Sequence, residues 1–345
     1  MSSGNISAFL VRPSLAVAAG LAGAVVLAGG CRPDFGAPPS LIDDFTVLAV
    51  RGIVQEPALA AGAAAPASAL AEARPGQSVR YDVLAVTPAG TRGDVRSFFS
   101  LCLQPKPPAE SNSVSAACAT AAPTGDAVPT WDAAMPADAC SLFGPITPPA
   151  KAGEAPLRPR DPDSTGGFYL PVRAAAVDPA GPAGATRTAF ALTRVQCNLA
   201  GASSEILQQF AKYVPNRHPR LAGAGLAGGA ALSLDPATSA PISSGQQVAL
   251  EARFADAASE SYLWFDPVSR TLAERRESLS LSWFVNGGAV TSDRTGRGEA
   301  ETAASSSNSW HAPVVTTATD FHLWLVLRDS RGGVDFAEYL LHVVP

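Results

Sequence analysis

Lysine is nearly absent from this 345-residue chain: Lys106, Lys151 and Lys212 are its only copies. Lys+Arg total 25 against 30 Asp+Glu, a formal charge of −5. A nucleic-acid partner requires a clustered basic face, so that class of partner is excluded. No G-x-S-x-G, G-x-x-x-x-G-K or H-E-x-x-H stretch occurs, which leaves no candidate nucleophile elbow, P-loop or zincin helix. No C-x-x-C occurs, so neither a thioredoxin-type redox motif nor a zinc knuckle is present. The apolar run at residues 15–28, LAVAAGLAGAVVLA, falls short of the roughly 20 residues that span a bilayer. These absences point away from catalysis.

What is present begins with that apolar run. Arg12 is the only charge before Cys31, and the run ends in Gly29-Gly30-Cys31. One positive charge, a short hydrophobic segment and small residues make a secretory signal. Leu27-Ala28-Gly29-Gly30-Cys31 resembles the lipobox of bacterial lipoproteins, although Ala28 stands where that family most often has Leu. The resemblance implies a diacylglycerol on the Cys31 thiol, cleavage before it, and a membrane anchor at the new N-terminus. Acyl chains contribute roughly 0.8 kcal/mol per buried CH₂. Removing residues 1–30 leaves 24 Lys+Arg and 30 Asp+Glu, or −6. The whole is similar to outer-membrane lipoproteins of Gram-negative bacteria, so an exported location is expected.

The mature chain reads as β. Hydrophobic residues make up 47%, with 30 Pro and 30 Gly as punctuation. FTVLAV (45–50), SVRYDVLAV (78–86) and SFFSLCL (97–103) are short strands, and Val79, Tyr81, Val83 and Ala85 share one face. An Ala-rich stretch reads as a loop, and a Pro-rich segment from residue 105 to about 167 as a long insertion. FYLPVRAAAV and TAFALTRVQC form a returning pair. SSEILQQFAKYV is a short helix capped by Ser203 or Ser204, with Ile206, Phe210 and Tyr213 on one side. PNRHPRL, from Pro215, has the look of an interdomain hinge. The predicted division is therefore a signal peptide (1–30), a lipidated tether (31–42), an insertion-rich sandwich (43–215) and a second sandwich (216–345).

The second half carries clearer alternation: Val248, Leu250, Ala252 and Phe254, then Leu279, Leu281, Trp283 and Val285. The order S-W-F-V-N-G-G, then W-H-A-P at 310–313, then D-S-R-G-G at 329–333 resembles bacterial immunoglobulin-like modules of the polycystic-kidney-disease type. The resemblance implies a β-sandwich with Trp283 in its core, and residues 43–200 look like a more distant sandwich of similar kind. The last two strands are predicted to pair Leu325 with Tyr339. That places His322 opposite His342 and leaves a turn of Arg331-Gly332-Gly333. Asp329 is expected to bond the following backbone.

Four cysteines remain beyond Cys31, and in an oxidising compartment they allow three pairings. Cys102–Cys118 closes a short loop, and Cys140–Cys197 ties the far end of the insertion to the returning strand; these are the expected bonds. Asp161, Asp163, Thr165 and Gly166 match the opening of a calcium loop, because alternate oxygens of a tight loop converge on a hard cation. The alternative is an Asp-rich turn balanced by Arg158 or Arg160. Trp324, with Trp264, is the candidate for an outward aromatic that would hold a sugar ring; the alternative is packing against the neighbouring domain. The sequence therefore specifies a mostly β chain of two tandem immunoglobulin-like sandwiches. Its expected role is a lipid-anchored structural or binding module with an envelope protein or glycan partner.

Overall fold

The computed structural model describes residues 37–55, 69–104, 114–143, 166–182, 185–199, 202–266 and 268–345. The first half supplies strands β1 (Thr46–Val54), β2 (Glu72–Ala73), β3 (Ser78–Thr87), β4 (Gly90–Thr91), β5 (Ser97–Leu101), β6 (Trp131–Ala134), β7 (Gly167–Val177) and β8 (Thr186–Gln196). Helices α1 (Ala116–Ala119), α2 (Ala139–Phe143) and α3 (Ser204–Phe210) lie among and after them. One sheet holds β1, β3, β4 and β6; the other runs β2-β8-β7-β5. Val79, Tyr81, Phe99, Phe168, Leu170, Val172 and Val195 fill the core between them. β6 is a correction. It lies inside the Pro-rich segment read as an insertion, yet it pairs with β3 from Ser78↔Ala134 to Tyr81↔Trp131 and completes the sheet. With only four residues, it offers too short an alternation to be read against its proline-rich surroundings.

The second half supplies β9 (Leu221–Leu226), β10 (Ile242–Ser243), β11 (Gln247–Phe254), β12 (Ser261–Asp266), β13 (Thr271–Arg276), β14 (Leu279–Val285), β15 (Ala289–Val290), β16 (Arg294–Arg297), β17 (Ser305–His311), β18 (Thr319–Asp329) and β19 (Val334–Val344). The sheets run β10-β19-β18-β14-β16 and β15-β17-β11-β9, with β12-β13 a separate hairpin. Trp283 and Trp310 are both fully buried in this core. Trp283 donates through Nε1 to Thr295 Oγ1 at 2.8 Å, and Trp310 to the Gly287 carbonyl at 3.0 Å, so neither indole N–H is left unpaired. Gly288 at φ +71° makes the second bond possible, because a Cβ there would overlap the His311 carbonyl.

Both sandwiches are wound alike. In each, the first strand (β1 or β9) pairs antiparallel with the strand that follows the crossover (β3 or β11). In each, a two-residue strand (β2 or β10) crosses to the other sheet and runs parallel to the last strand (β8 or β19). The remaining order, with β6 or β17 on one sheet and β5-β7-β8 or β14-β18-β19 on the other, is that of immunoglobulin-like domains. The chain is thus a tandem of two immunoglobulin-like sandwiches.

The final hairpin differs from its expected register by two residues. Leu325 faces Ala337, and Leu323 faces Tyr339. His322 therefore lies opposite Leu340, and His342 opposite Asp320. Both registers bury the same side chains, since alternation repeats every two residues. The turn decides between them. Asp329 Oδ1 accepts from the backbone N–H of Arg331 and of Gly333, each at 2.8 Å, and this closes the loop at Asp329/Gly333 with Gly332 at φ +97°.

Two connecting segments are less free than their composition suggests. Of the predicted tether, Ser40 and Ile42 are each only 2% exposed. Ile42 donates to the Val285 carbonyl and Val285 to the Ser40 carbonyl, both at 2.8 Å, so this segment extends the β14 edge. The predicted hinge also pairs: Ala71 N–H donates to Asn216 O at 2.9 Å and His218 N–H to Ala69 O at 3.0 Å. Pro215 and Pro219 bar a helix there but not an extended ladder. Residues Pro39–Pro345 form one compact unit.

Candidate functional site: a buried ionic junction

The two sandwiches meet on three kinds of contact. The first is apolar. Leu48, Leu84 and Val86, on the outer face of the first sandwich's β1-β3 sheet, pack against Trp324, Val326 and Val334 of the second. Trp324 is fully buried, its ring stacked on His322 at 5.3 Å and its Nε1 donating to Thr91 Oγ1 at 3.0 Å. Trp264 is half-buried beneath the Arg275 guanidinium, which lies 5.2 Å from the ring centroid. The outward aromatic face expected of a sugar site is therefore not formed by these two residues. Trp324 does point away from its own core, but the neighbouring sandwich covers it.

The second contact is ionic and centres on Arg331, which is 2% exposed. The tight turn after Asp329 places it against both sandwiches. Its Nε donates to Glu277 Oε1 at 2.6 Å and its Nη2 to Glu260 Oε2 at 3.1 Å. Its Nη1 donates to Tyr213 OH at 3.0 Å and to the Val214 carbonyl at 3.2 Å. The guanidinium lies over the Tyr262 ring at 4.7 Å. Tyr213 in turn donates to Glu72 Oε2 at 2.7 Å, while Arg194 Nε donates to Glu72 Oε1 at 3.1 Å. Asn216 donates its backbone N–H to Glu72 and its side-chain N–H groups to both oxygens of Asp329. Glu72 and Arg194 belong to the first sandwich, Tyr213, Val214 and Asn216 to the connection, and the remainder to the second.

Three guanidinium groups, Arg331, Arg194 and, at the rim, Arg217 beside Glu260, face four carboxylates here. Burial, with the Asp329 charge second, pushes the Glu277 carboxyl up to about 7 against the pull of Arg331. Burial also raises Asp329, although its backbone donors oppose the shift. Burial works against the Arg331 charge, but Tyr213 and Glu277 outweigh it and hold the guanidinium firmly ionised. The third contact is His218. Its Nε2 bonds the Gly52 carbonyl of β1 at 3.0 Å, and its Nδ1 accepts from the Val334 N–H of β19 at 2.9 Å. These partners require the neutral Nε2–H form. Burial, with Arg51 second, lowers the ring to about 4.

The centre of this arrangement is closed to solvent, with Glu72, Glu277, Arg194 and Arg331 all at most 2% exposed, while Glu260 at its rim is half-buried. Its chemistry is that of a latch. No sequence motif marked it. Glu72 stands between alanines, Arg194 in a strand, and Glu277 and Arg331 in polar turns, and no recognisable motif brings the four together. Among the described residues no group of three or more His, Cys, Asp or Glu could hold a metal.

Of the residues singled out in the sequence, Cys31, Asp161, Asp163 and Thr165 lie outside the described residues. Gly166 is described. At φ +78° a Cβ there would lie 2.8 Å from the Cys197 carbonyl, which accounts for glycine without a cation. Cys102 is joined to Cys118 and Cys140 to Cys197, with Cα separations of 5.5 and 5.7 Å. The first bond ties the end of β5 to α1, and the second ties α2 to the end of β8. Disulfides belong to an oxidising, exported setting. No described helix is long and apolar enough to cross a membrane. One further run, Gly223-Ala224-Gly225-Leu226-Ala227-Gly228, has the spacing of a dinucleotide-binding loop. It forms β9 and the turn after it, and lacks the following helix whose N-terminus would hold a pyrophosphate.

No protein-family model matches the chain, and no curated protein matches it. Solved structures similar to it include two titin fragments and a T cell receptor. A chimeric titin Z1Z2-Z1Z2 tandem, functionalised with a GRGDS peptide from fibronectin, is 12% identical over 79% of this chain and 93% of that one, with a TM-score of 0.22. The titin I-band fragment I67–I69 is 10% identical over 79% and 62%, with a TM-score of 0.19. A marsupial T cell receptor is 11% identical over 86% and 73%, with a TM-score of 0.18. Superpositions this poor carry no argument; the fold class rests on the sheet order above.

Proposed function

We propose that this protein is a non-catalytic binding and structural module of the bacterial envelope. Its two sandwiches act as a single rigid body, anchored to the outer membrane of a Gram-negative cell by acyl chains on Cys31. The observation that carries the reading is the junction. Tandem sandwiches that must flex are joined by solvated linkers, whereas here the connection is tied down at its middle, with Asn216 at 0% exposure and hydrogen-bonded to both halves. The lipobox resemblance supports the anchor. Two experiments test the two parts separately. Spin labels placed one on each sandwich should report a single narrow distance distribution, and a broad one would refute the rigid body. Metabolic labelling with a palmitate analogue should tag the wild type and not Cys31→Ser; an untagged but membrane-bound wild type would remove the anchor.

A further inference from the structure

A cavity of about 220 Å³ lies where the second sandwich meets the first. Val50 of β1, Ala71 and Val334 of β19 line its depth, and all three are buried. Phe190 and Leu192 of β8 line its mouth, at 36% and 42% exposure. Gly332 closes one end, because a Cβ there would stand 3.0 Å from the Leu192 carbonyl. No chain can run through such a space, so an occupant must be small. A cavity of about 150 Å³ is enough to hold benzene, and about 220 Å³ leaves room for a polar group beside a ring or a short branched chain.

The polar lining selects that group. Arg328 is the only cation among the lining residues. Its Nη2 donates to the Leu48 carbonyl at 2.9 Å. Its Nε and Nη1 have no hydrogen-bond partner among the described residues, and neither is sealed from solvent. No carboxylate pairs with it. The other polar side chains of the lining are committed elsewhere. Thr193 Oγ1 is bonded to the Tyr81 hydroxyl at 2.8 Å. Asp329 accepts from Asn216 and from the amides of Arg331 and Gly333. Burial and the nearby Arg294 both work against the Arg328 charge, and a bound anion would offset both.

We propose that this cavity binds a small free carboxylic acid whose body is an apolar ring or a short branched chain. The carboxylate accepts from the Arg328 donors that Leu48 leaves free, and the apolar body lies on Val50, Ala71 and Val334 beneath Phe190 and Leu192. Charge-assisted bonds to a guanidinium supply orientation, and apolar walls supply affinity. The cavity has one wall on each sandwich, so it exists only while the two are held together. The proposal therefore deepens the binding-module reading and rests on its rigid body. A broad distance distribution between spin-labelled sandwiches would remove both. A narrow distribution with no binding would remove this proposal alone.

The test titrates the mature chain, purified without residues 1–30, with three probes of one shape: para-fluorophenylacetate, para-fluorobenzyl alcohol and para-fluorophenethylamine. Fluorine NMR follows binding, and NOE spectra locate the ring. The acid should bind saturably, at least fivefold tighter than the alcohol and tenfold tighter than the amine, with ring contacts to the Leu192 and Val334 methyls. Arg328→Gln should erase the preference for acid over alcohol. Phe190→Ala with Leu192→Ala should weaken acid and alcohol alike, severalfold, and keep their ratio. The ratio is read within each variant, and circular dichroism checks the fold. Should Arg328→Gln not fold, the ring contacts and charge preference of the wild type decide. Equal binding of acid and amine, no saturable binding at millimolar acid, an unchanged ratio in folded Arg328→Gln, or ring contacts confined to other methyls would overturn the proposal.

Discussion

Replacing Arg331 by Met tests the junction most directly. The change keeps the length and apolar stem of the side chain and deletes one charge. Glu277 and Glu72, with side chains 1% and 0% exposed, then lose a cation 2.6 and 3.8 Å away. Tyr213 loses a donor at 3.0 Å. Removing one partner from a buried ion pair costs about 3–5 kcal/mol, because the charge left behind has neither water nor a counter-ion. Glu277 titrates near 7 even with Arg331 in place. In the variant a proton is the remaining relief, and it grows more expensive by about 1.4 kcal/mol per pH unit above that range. The loss of stability should therefore be about 3–5 kcal/mol at pH 8 and smaller by about 1–2 kcal/mol at pH 6. Urea unfolding followed by tryptophan fluorescence at both pH values measures it. Arg331→Met with Glu277→Gln should recover much of the loss, since the orphaned carboxylate goes with its partner. A cost below about 1 kcal/mol at pH 8, with no dependence on pH, would mean the cluster is solvated and the latch does not exist.

The pH profile of the intact protein should show two opposed terms. The His218 ring is lowered from 6.5 to about 4, so its contribution is whole above 6.5 and is lost as pH falls toward 4; His218→Gln should flatten that acid limb. Glu277 is raised from 4.5 to about 7, so its contribution is whole below 4.5 and is lost as pH rises through 7; Glu277→Gln should flatten the alkaline limb. Trp324→Ala should cost about 3–5 kcal/mol by emptying the apolar seam, and should broaden the distance distribution between the sandwiches. Loop-closure entropy gives about 3 kcal/mol for Cys102–Cys118 and about 4 kcal/mol for Cys140–Cys197, so replacing each pair by Ala should lower the urea midpoint in that order. Calcium titrated into the mature chain tests Asp161, Asp163 and Thr165: heat and a rise in Tm at millimolar calcium support a weak site, and neither leaves only a turn.

The strands that were legible were those with one wet face. Leu250, Ala252 and Phe254 of β11 alternate with Ala249, Glu251 and Arg253, which are exposed or half-buried, and all three lie in the core. Alternation became misleading where both faces are covered. Leu84 and Val86 interrupt the pattern of Val79, Tyr81 and Ala85 because they belong to a second core against Trp324. The register of β18 and β19 was legible only to within two residues. Hydrophobic alternation fixes parity, while hydrogen bonds from the Arg331 and Gly333 amides to Asp329 fix the rest. The junction was not legible at all. A buried Arg and a solvated Arg are the same letter, and what distinguishes them here is the meeting of residues as far apart as Glu72, Glu277 and Arg331.

The identical winding of the two halves makes the chain's outer faces comparable one by one. Each sandwich has two. The β1-β3 face of the first and the β14-β18-β19 face of the second are spent on one another, through Leu84 and Val86 against Trp324 and Val326. The β11-β17 face of the second presents Gln247, Glu251 and Arg253 beside Ser305, Ser307 and Ser309, which is the polar pattern of a sheet that ends in water. The β5-β7-β8 face of the first remains. It is the counterpart of the face that carries Trp324, and the second sandwich reaches it at one end, where Arg194 is 1% exposed in the ionic cluster and the Tyr169 hydroxyl donates to the Ser330 carbonyl at 3.3 Å. Phe190 and Leu192 share that face and stay 36% and 42% exposed, so the ionic contact closes one end of the face and leaves these two side chains beyond it.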